Sequence, residues 1–323
     1  MPRLVYVMAA SHSGSTLLAM LLNAHPQVVT AGELKAVNLG DPERYRCSCH
    51  ALLKSCDFWQ TVNREMVANG HDFRIHDLAR THFDVFQSPW IQRLLRPLVR
   101  AQAWERLREL ALALSPEWRH GLPIMLQRSR DLVHAVARVA GAEVVVESSK
   151  VGMRLKMLAE HTDLDIHVVR LIRDGRAVAL TYMRPAEFAD AKDASLRGGG
   201  TGANHDHTLD MAAAAREWRR SNEEAEALLA QLPGLPVIQL NYEALCSDPL
   251  QEVNCVFAAL GLSPIATLDG FRDVPHHVIG NGMRLDSDSR IVLDDRWRQT
   301  LSEDELHTFA AVAGGLNRSY GYV

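Results

Sequence analysis

The sequence predicts an α/β protein built on a central, mostly parallel sheet. A short apolar run, a small polar cluster and then a helix-length stretch recur in that order four times along the 323 residues. The strand-like runs are continuously apolar rather than alternating, as expected of strands buried on both faces. Each polar cluster follows a strand, and open parallel sheets gather ligands beyond the carboxyl ends of their strands. The clusters should therefore converge on one site.

The first unit is LVYVMAA at residues 4–10, the cluster Ser11-His12-Ser13-Gly14-Ser15-Thr16, and an apolar stretch from Leu17 to Leu22 that ends near His25-Pro26. A second short strand-like run leads into Ala31-Gly32-Glu33. Residues 58–140 carry tryptophans and leucines at helix-like spacing among many arginines, and read as a helical insertion that caps the sheet. Strand Glu143–Glu147 then precedes Ser148-Ser149-Lys150 and the helical MRLKMLAEH. Strand Ile166–Ile172 precedes Arg173-Asp174-Gly175-Arg176 and AVALTYM. Residues 184–207 hold a Gly-Gly-Gly-Thr-Gly run without a period, so they read as a lid loop or a disordered segment. Helical order resumes from Leu209 to Leu232. The last unit is strand Val237–Leu240, Tyr242-Glu243 and a helix from Pro249 to Leu260. No repeat at solenoid spacing is present, and residues 1–323 read as one domain.

Composition narrows the classes. With 47% apolar and 23% charged residues, the chain is neither disordered, collagenous nor a coiled coil. Lys plus Arg number 35 against 39 for Asp plus Glu, a formal net charge of −4. Such a balance offers no global attraction for nucleic acid or an anionic membrane, so any anion site must be local. No apolar run reaches membrane-spanning length, and the N-terminus lacks the basic start and cleavage site of a secretory signal. The expectation is a cytoplasmic protein; oligomeric state has no signature here.

Five cysteines, an odd number, do not make a disulfide framework. Cys246 and Cys255, in apolar surroundings, are expected to be buried fillers. Cys47-Ser-Cys49-His50 and Cys56 offer two readings. Three thiolates and His50 could bind zinc, although C-x-C-H is tighter than common zinc spacings. Alternatively these are buried or redox-active thiols, and no metal site is assigned.

Glycine in the first cluster lets the backbone approach a ligand closely, while hydroxyls and free amides at a helix start donate to phosphate oxygens. A helix-capping turn would look similar. The nucleotide-hydrolase loop G-x-x-x-x-G-K-[ST] is not matched: no glycine lies five residues before Gly14, and no lysine follows it. In Arg173-Asp-Gly-Arg-Ala-Val-Ala-Leu-Thr181, an arginine at a strand end precedes a hydroxyl two turns into a helix. The two could grip one phosphate; alternatively Arg173 and Asp174 form an ordinary ion pair.

Together, SGST after the first strand and RDGRAVALT after a middle strand resemble the sulfotransferases that use 3′-phosphoadenosine 5′-phosphosulfate (PAPS). HPQVVTAGE, VVVESSK, QLNYEAL and HHVIGNGMR extend the resemblance along most of the chain, with residues 58–140 and 184–207 adding little. It implies a three-layer, P-loop-like α/β fold and transfer of a sulfuryl group from PAPS to a hydroxyl or amine of a small-molecule or glycan acceptor. Ser13, Gly14, Ser15 and Thr16 would hold the 5′-phosphosulfate; Arg173 and Thr181 would hold the 3′-phosphate, with Arg284 a further candidate. Glu33 would be the base, although a helix-start carboxylate at the surface fits the same residues. His12 departs from the family, which places Lys or Arg there. It would act either protonated or as a neutral donor, with Lys150 as partner or substitute.

Tyr242 is expected near the nucleotide or in the core; Trp218 and Trp297 are expected in the core. The helical insertion and lid would shape the acceptor pocket. No metal is required, because sulfate is singly charged and hydrogen-bond donors can replace the cation a kinase needs. Two alternatives remain: a divergent nucleotide-dependent kinase, and a catalytically inactive nucleotide- or partner-binding module of the same fold.

Overall fold

The computed structural model describes residues 1–35, 43–76, 81–95, 102–188, 191–197 and 208–323. Its centre is a five-stranded sheet of β1 (Arg3–Ala9), β2 (Val28–Gly32), β3 (Val144–Glu147), β4 (Asp165–Ile172) and β5 (Val237–Asn241). The strand order is β2-β3-β1-β4-β5, and every pairing is parallel. Central β1 aligns Leu4 with both Val145 of β3 and Ile166 of β4.

Both faces of the sheet are covered, which explains the unbroken apolar strands. Leu4, Tyr6 and Met8 point into one core with Val145, Ile166 and Val168; Val5 and Val7 point into the other with Val169 and Leu171. Successive strand residues thus alternate between two apolar layers rather than between core and water. The first layer is closed by α2 (Asp57–Ala68), α5 (Pro116–Ala140) and α6 (Gly152–His161). The second is closed by α1 (Ser15–Leu22) and α11 (Pro249–Ala259). Full burial of each such Val or Leu side chain contributes about 1.5–3 kcal/mol.

The described part of the insertion is mainly helical: α2 is followed by α3 (Pro89–Leu94), α4 (Gln102–Ala113) and α5. Beyond β4 come α7 (Gly175–Met183) and the short α8 (Pro185–Phe188). Next are α9 (Met211–Gln231), β5, α10 (Tyr242–Ser247) and α11, and the chain closes with α12 (Trp297–Thr300) and α13 (Glu303–Ser319). Half of the lid read at 184–207 lies outside the described residues; what is described there includes α8 and a 3-10 turn, Ala194–Leu196. Among the described residues no helix is long and apolar enough to cross a membrane.

Trp218 and Trp297 are buried, as expected. The Trp218 indole donates to the Arg173 carbonyl at 3.2 Å, so a core anchor fixes the strand end that carries the arginine. Gly175 makes this contact possible, since a Cβ there would fall 2.8 Å from the Trp218 ring. The cysteine expectation needs correction. Cys255 is exposed because α11 turns Val253, Val256 and Phe257 inward, and Cys246 is half-buried because α10 (Tyr242–Ser247) buries Tyr242 and Leu245 instead.

Candidate active site

Three loops meet at the carboxyl ends of β1, β3 and β4, neighbours in the sheet. The loop after β1 reaches α1 through two left-handed residues, His12 at φ 64° and Gly14 at φ 87°. Such angles are strained for histidine and natural for glycine. A side chain at Gly14 is excluded for a second reason: its Cβ would fall 2.3 Å from Cδ2 of Tyr242. Tyr242 therefore sits directly on the loop. Ser13, Ser15 and Thr16 are buried, and the Ser13 hydroxyl has no hydrogen-bond partner among the described residues.

Arg173, at the end of β4, folds back over this loop. Its Nη1 donates to the His12 carbonyl at 2.9 Å, and its guanidinium lies 4.3 Å from the Tyr242 ring centroid. Nη2 donates to the Asp294 carbonyl at 2.9 Å and to its carboxylate at 3.0 Å. Nε, also buried, has no partner among the described residues. The partner suggested by adjacency, Asp174, instead pairs with Arg176 at 2.7 Å and caps α7 by accepting from the Arg176 N–H.

The orphaned Ser13 hydroxyl and Arg173 Nε flank a loop that admits backbone-close contact at Gly14. Buried donors without acceptors are costly.

Across the loop, Lys150 also adopts a left-handed backbone, φ 63°, a strain that aims its side chain back over the site. Its Nζ donates to Glu33 Oε1 at 2.6 Å and to Ser15 Oγ at 3.2 Å. The ammonium thus bridges the loop and the carboxylate. Burial pushes the Glu33 carboxyl up, but Lys150, Lys35 and Arg284 outweigh it and hold the group below the usual glutamate range. His12 moves the other way from a cation. Burial first, then Lys150 and Arg173, lower its imidazole to about 4, and its ring packs edge-on against Tyr182 at 4.8 Å. Of the two readings open for His12, the neutral donor is the one this environment favours.

The loop carrying Lys150 rests on a buried polar network. Arg154 donates to Glu147 at 2.6 and 3.1 Å, and Ser149 donates to the same carboxylate at 2.5 Å. Glu33 is fixed from the other side, where its N–H donates to Ile279 C=O at 2.7 Å. Gly32 is obligatory beneath it: φ is 79°, and a Cβ would lie 1.9 Å from the Ile279 oxygen.

Two expected residues stand apart. Thr181 is buried in α7 with its hydroxyl donating to the Ala177 carbonyl at 3.1 Å, and the contacts of Arg173 do not include it. Arg284 is fully buried, donates to the carbonyls of Gly280 at 2.5 Å and Asn281 at 2.9 Å, and stacks on Tyr45. It sits on the Glu33 side of the site, as its influence on that carboxyl indicates. Sequence reasoning missed Asp294, whose only signal is proximity to other charges in DDRWR.

A cavity of about 90 Å³ opens beside Lys150, lined in part by Ser11, Lys35, Arg108 and Glu224. Arg108 is buried there against Glu105, with Nε and Nη1 lacking partners among the described residues. A larger hollow of about 560 Å³ lies at the opposite end of the sheet, around Arg3, Val144 and Asp165. It is remote from the loops, at the strand ends where parallel sheets do not gather ligands.

The thiol cluster takes a form the sequence did not suggest. Cys47, Cys49 and Cys56 come together, but the histidine among their sulfurs is His277, not the exposed His50.

A family model described as the sulfotransferase family matches residues 2–265. The human protein carbohydrate sulfotransferase 6 is 24% identical over 346 aligned positions, which cover 98% of this chain and 80% of the human one. Among solved structures, the sulfotransferase domain from the curacin biosynthetic pathway aligns with 100% of this chain and 99% of that one, at 13% identity and a TM-score of 0.49. The sulfotransferase domain from the Synechococcus PCC 7002 olefin synthase aligns with 100% and 96%, at 18% identity and a TM-score of 0.45.

Proposed function

The chain belongs to the sulfotransferase family, and on that premise we propose that it moves a sulfuryl group from PAPS to a hydroxyl or amine of a small-molecule or glycan acceptor. One observation carries the reading. Arg173 is docked on the loop around Gly14, through the His12 carbonyl and through Tyr242, so groups suited to the two ends of a doubly phosphorylated adenosine border one site. PAPS supplies an activated sulfuryl group on a phosphate leaving group. Ser13, Ser15 and Thr16, with the amides at the start of α1, hold the 5′ end. Arg173 holds the 3′-phosphate, with Tyr242 as the surface between the two anchors.

Glu33 is the base. Its carboxylate is ionised at neutral pH but engaged by Lys150, so the ion pair must loosen before a proton is taken. An anion at Ser15 competes for the same ammonium, and drawing Lys150 toward it raises the basicity of Glu33. Lys150 then stabilises the charge that grows on the leaving phosphate, the role expected of a cation at position 12. Neutral His12 contributes at most a hydrogen bond. The acceptor enters from the cavity beside Lys150, and the likeness to a human carbohydrate sulfotransferase favours a glycan. The location proposed for the reaction is the cytoplasm.

The test is a screen of hydroxyl-bearing small molecules and glycans with PAPS labelled in its sulfuryl group. Labelled product that requires PAPS supports the reading. Absence of transfer to any acceptor, with 3′,5′-ADP still bound, would favour an inactive module. Phosphoryl transfer from ATP would favour a kinase.

A further inference from the structure

We propose that Cys47, Cys49, Cys56 and His277 form a structural zinc site, which locks the segment that positions Glu33. The four donor atoms lie within 4.8 Å of one another. Cys49 and Cys56 sulfurs are 3.6 Å apart, and His277 Nδ1 lies 3.7 Å from the Cys47 sulfur and 3.5 Å from that of Cys56. A tetrahedral zinc with Zn–S of ~2.3 Å and Zn–N of ~2.0–2.1 Å requires sulfur–sulfur edges of ~3.8 Å and sulfur–nitrogen edges of ~3.6 Å. The three edges given match that shape, the widest separation of 4.8 Å requires the donors to draw in by about 1 Å, and the Cys49–Cys56 pair is far from the ~2.05 Å of a disulfide.

The chemistry of the set points the same way. Three thiolates and an imidazole are soft and borderline ligands that suit zinc, and no carboxylate is among them. All four positions of the tetrahedron are filled by protein, which is the pattern of a structural rather than a catalytic ion.

Local structure shapes the cluster. His50 takes φ 66°, and its N–H donates to the Cys47 carbonyl at 2.9 Å, which closes a tight turn just beyond Cys49. The His277 ring is stacked on Phe58 at 4.3 Å with an interplanar angle of 2°, and its carbonyl accepts from the Trp59 indole at 3.0 Å. The stacking and the carbonyl hydrogen bond fix the ring that carries the donor.

The consequence is a cross-link between parts of the chain separated by 221 residues. Two residues beyond His277, Ile279 pairs with the end of β2: its N–H donates to Ala31 at 3.0 Å and its carbonyl accepts from Glu33 at 2.7 Å. Gly280 then lies against the Glu33 side chain. The ion would anchor this strap without touching the reacting atoms. Binding deprotonates the thiols and releases their protons to solvent.

The test is metal analysis of the full chain, expressed in zinc-supplemented medium and purified without chelator. One zinc per chain is expected. After removal of zinc under reducing conditions, cobalt(II) should bind with the absorption of a tetrahedral thiolate complex. His277→Ala and Cys56→Ser should lose stoichiometric zinc, whereas His50→Ala should keep it. Folded wild-type protein that contains no stoichiometric zinc and takes up no cobalt would overturn the proposal, whatever the variants do. So would full zinc retention in His277→Ala, or a disulfide among the three cysteines in protein purified under reducing conditions. These readouts are independent of sulfuryl transfer.

Discussion

Replacing Arg173 with alanine separates its two roles, holding the loop and holding a phosphate. In the structure its guanidinium donates to the His12 carbonyl, the Asp294 carbonyl and the Asp294 carboxylate, and stacks on Tyr242. Removing hydrogen bonds to a charged group costs about 1.5–3 kcal/mol, and the lost stacking adds ~0.5–1 kcal/mol. Asp294 is not stranded, because Arg296 still donates to it at 2.6 Å. A stability loss of roughly 2–4 kcal/mol is therefore expected. Such a loss leaves most domains folded. For the nucleotide, loss of a charge-assisted contact worth about 1.5–3 kcal/mol corresponds to ~10- to 150-fold in Kd. The assay is calorimetric titration of wild type and Arg173→Ala with 3′,5′-ADP and, in parallel, adenosine 5′-phosphosulfate, which lacks the 3′-phosphate. The variant should lose the larger factor for 3′,5′-ADP alone. Equal losses for the two ligands would refute the reasoning and reduce Arg173 to a brace for the loop.

Glu33→Gln should lower turnover by about 10²- to 10⁴-fold, the range of general acid–base catalysis, while 3′,5′-ADP affinity stays within a few-fold; equal loss of both in rate and titration assays would make Glu33 a positioning residue. His12 predicts a pH effect on stability. Its folded imidazole titrates near 4 rather than 6.5, so between those values the unfolded chain binds more protons. Stability should then fall as pH drops from 6.5 toward 4. Denaturant melts of His12→Asn should show a shallower fall than wild type across that window; parallel curves would contradict the neutral ring. Gly14→Ala should destabilise by about 2–5 kcal/mol, from left-handed strain of ~1–2 kcal/mol and overlap with Tyr242 of ~1–3 kcal/mol. It should weaken 3′,5′-ADP binding as well, and unchanged affinity would place the loop away from the ligand.

Local pattern made the sheet legible. The inner strands read as apolar runs because both faces of the sheet are covered there, while edge strand β5 leaves Val237 and Gln239 exposed, and the loops after β1, β3 and β4 announced themselves by Ser, Gly, Lys and Arg at strand ends. What stayed hidden are pairings between distant positions. Lys150 and Glu33 are 117 residues apart, and Arg173 and Asp294 are 121 apart, so nothing local marks either contact. Adjacency misled twice. Asp174 looked like the partner of Arg173 but caps α7, and His50 looked like a fourth ligand but turns the chain while His277 supplies the ring. Left-handed backbone at His12 and Lys150 was equally invisible, since side-chain identity signals that conformation mainly at glycine.

The proposed function requires one small molecule to be held at both ends, by the loop around Gly14 and by Arg173. The most direct measurement is a titration of the wild-type chain with 3′,5′-ADP, 5′-AMP and ATP, each with and without magnesium. 3′,5′-ADP should bind most tightly, removal of the 3′-phosphate should weaken binding, and magnesium should change neither result. A preference for ATP, or equal affinity for 3′,5′-ADP and 5′-AMP, would contradict the proposed function.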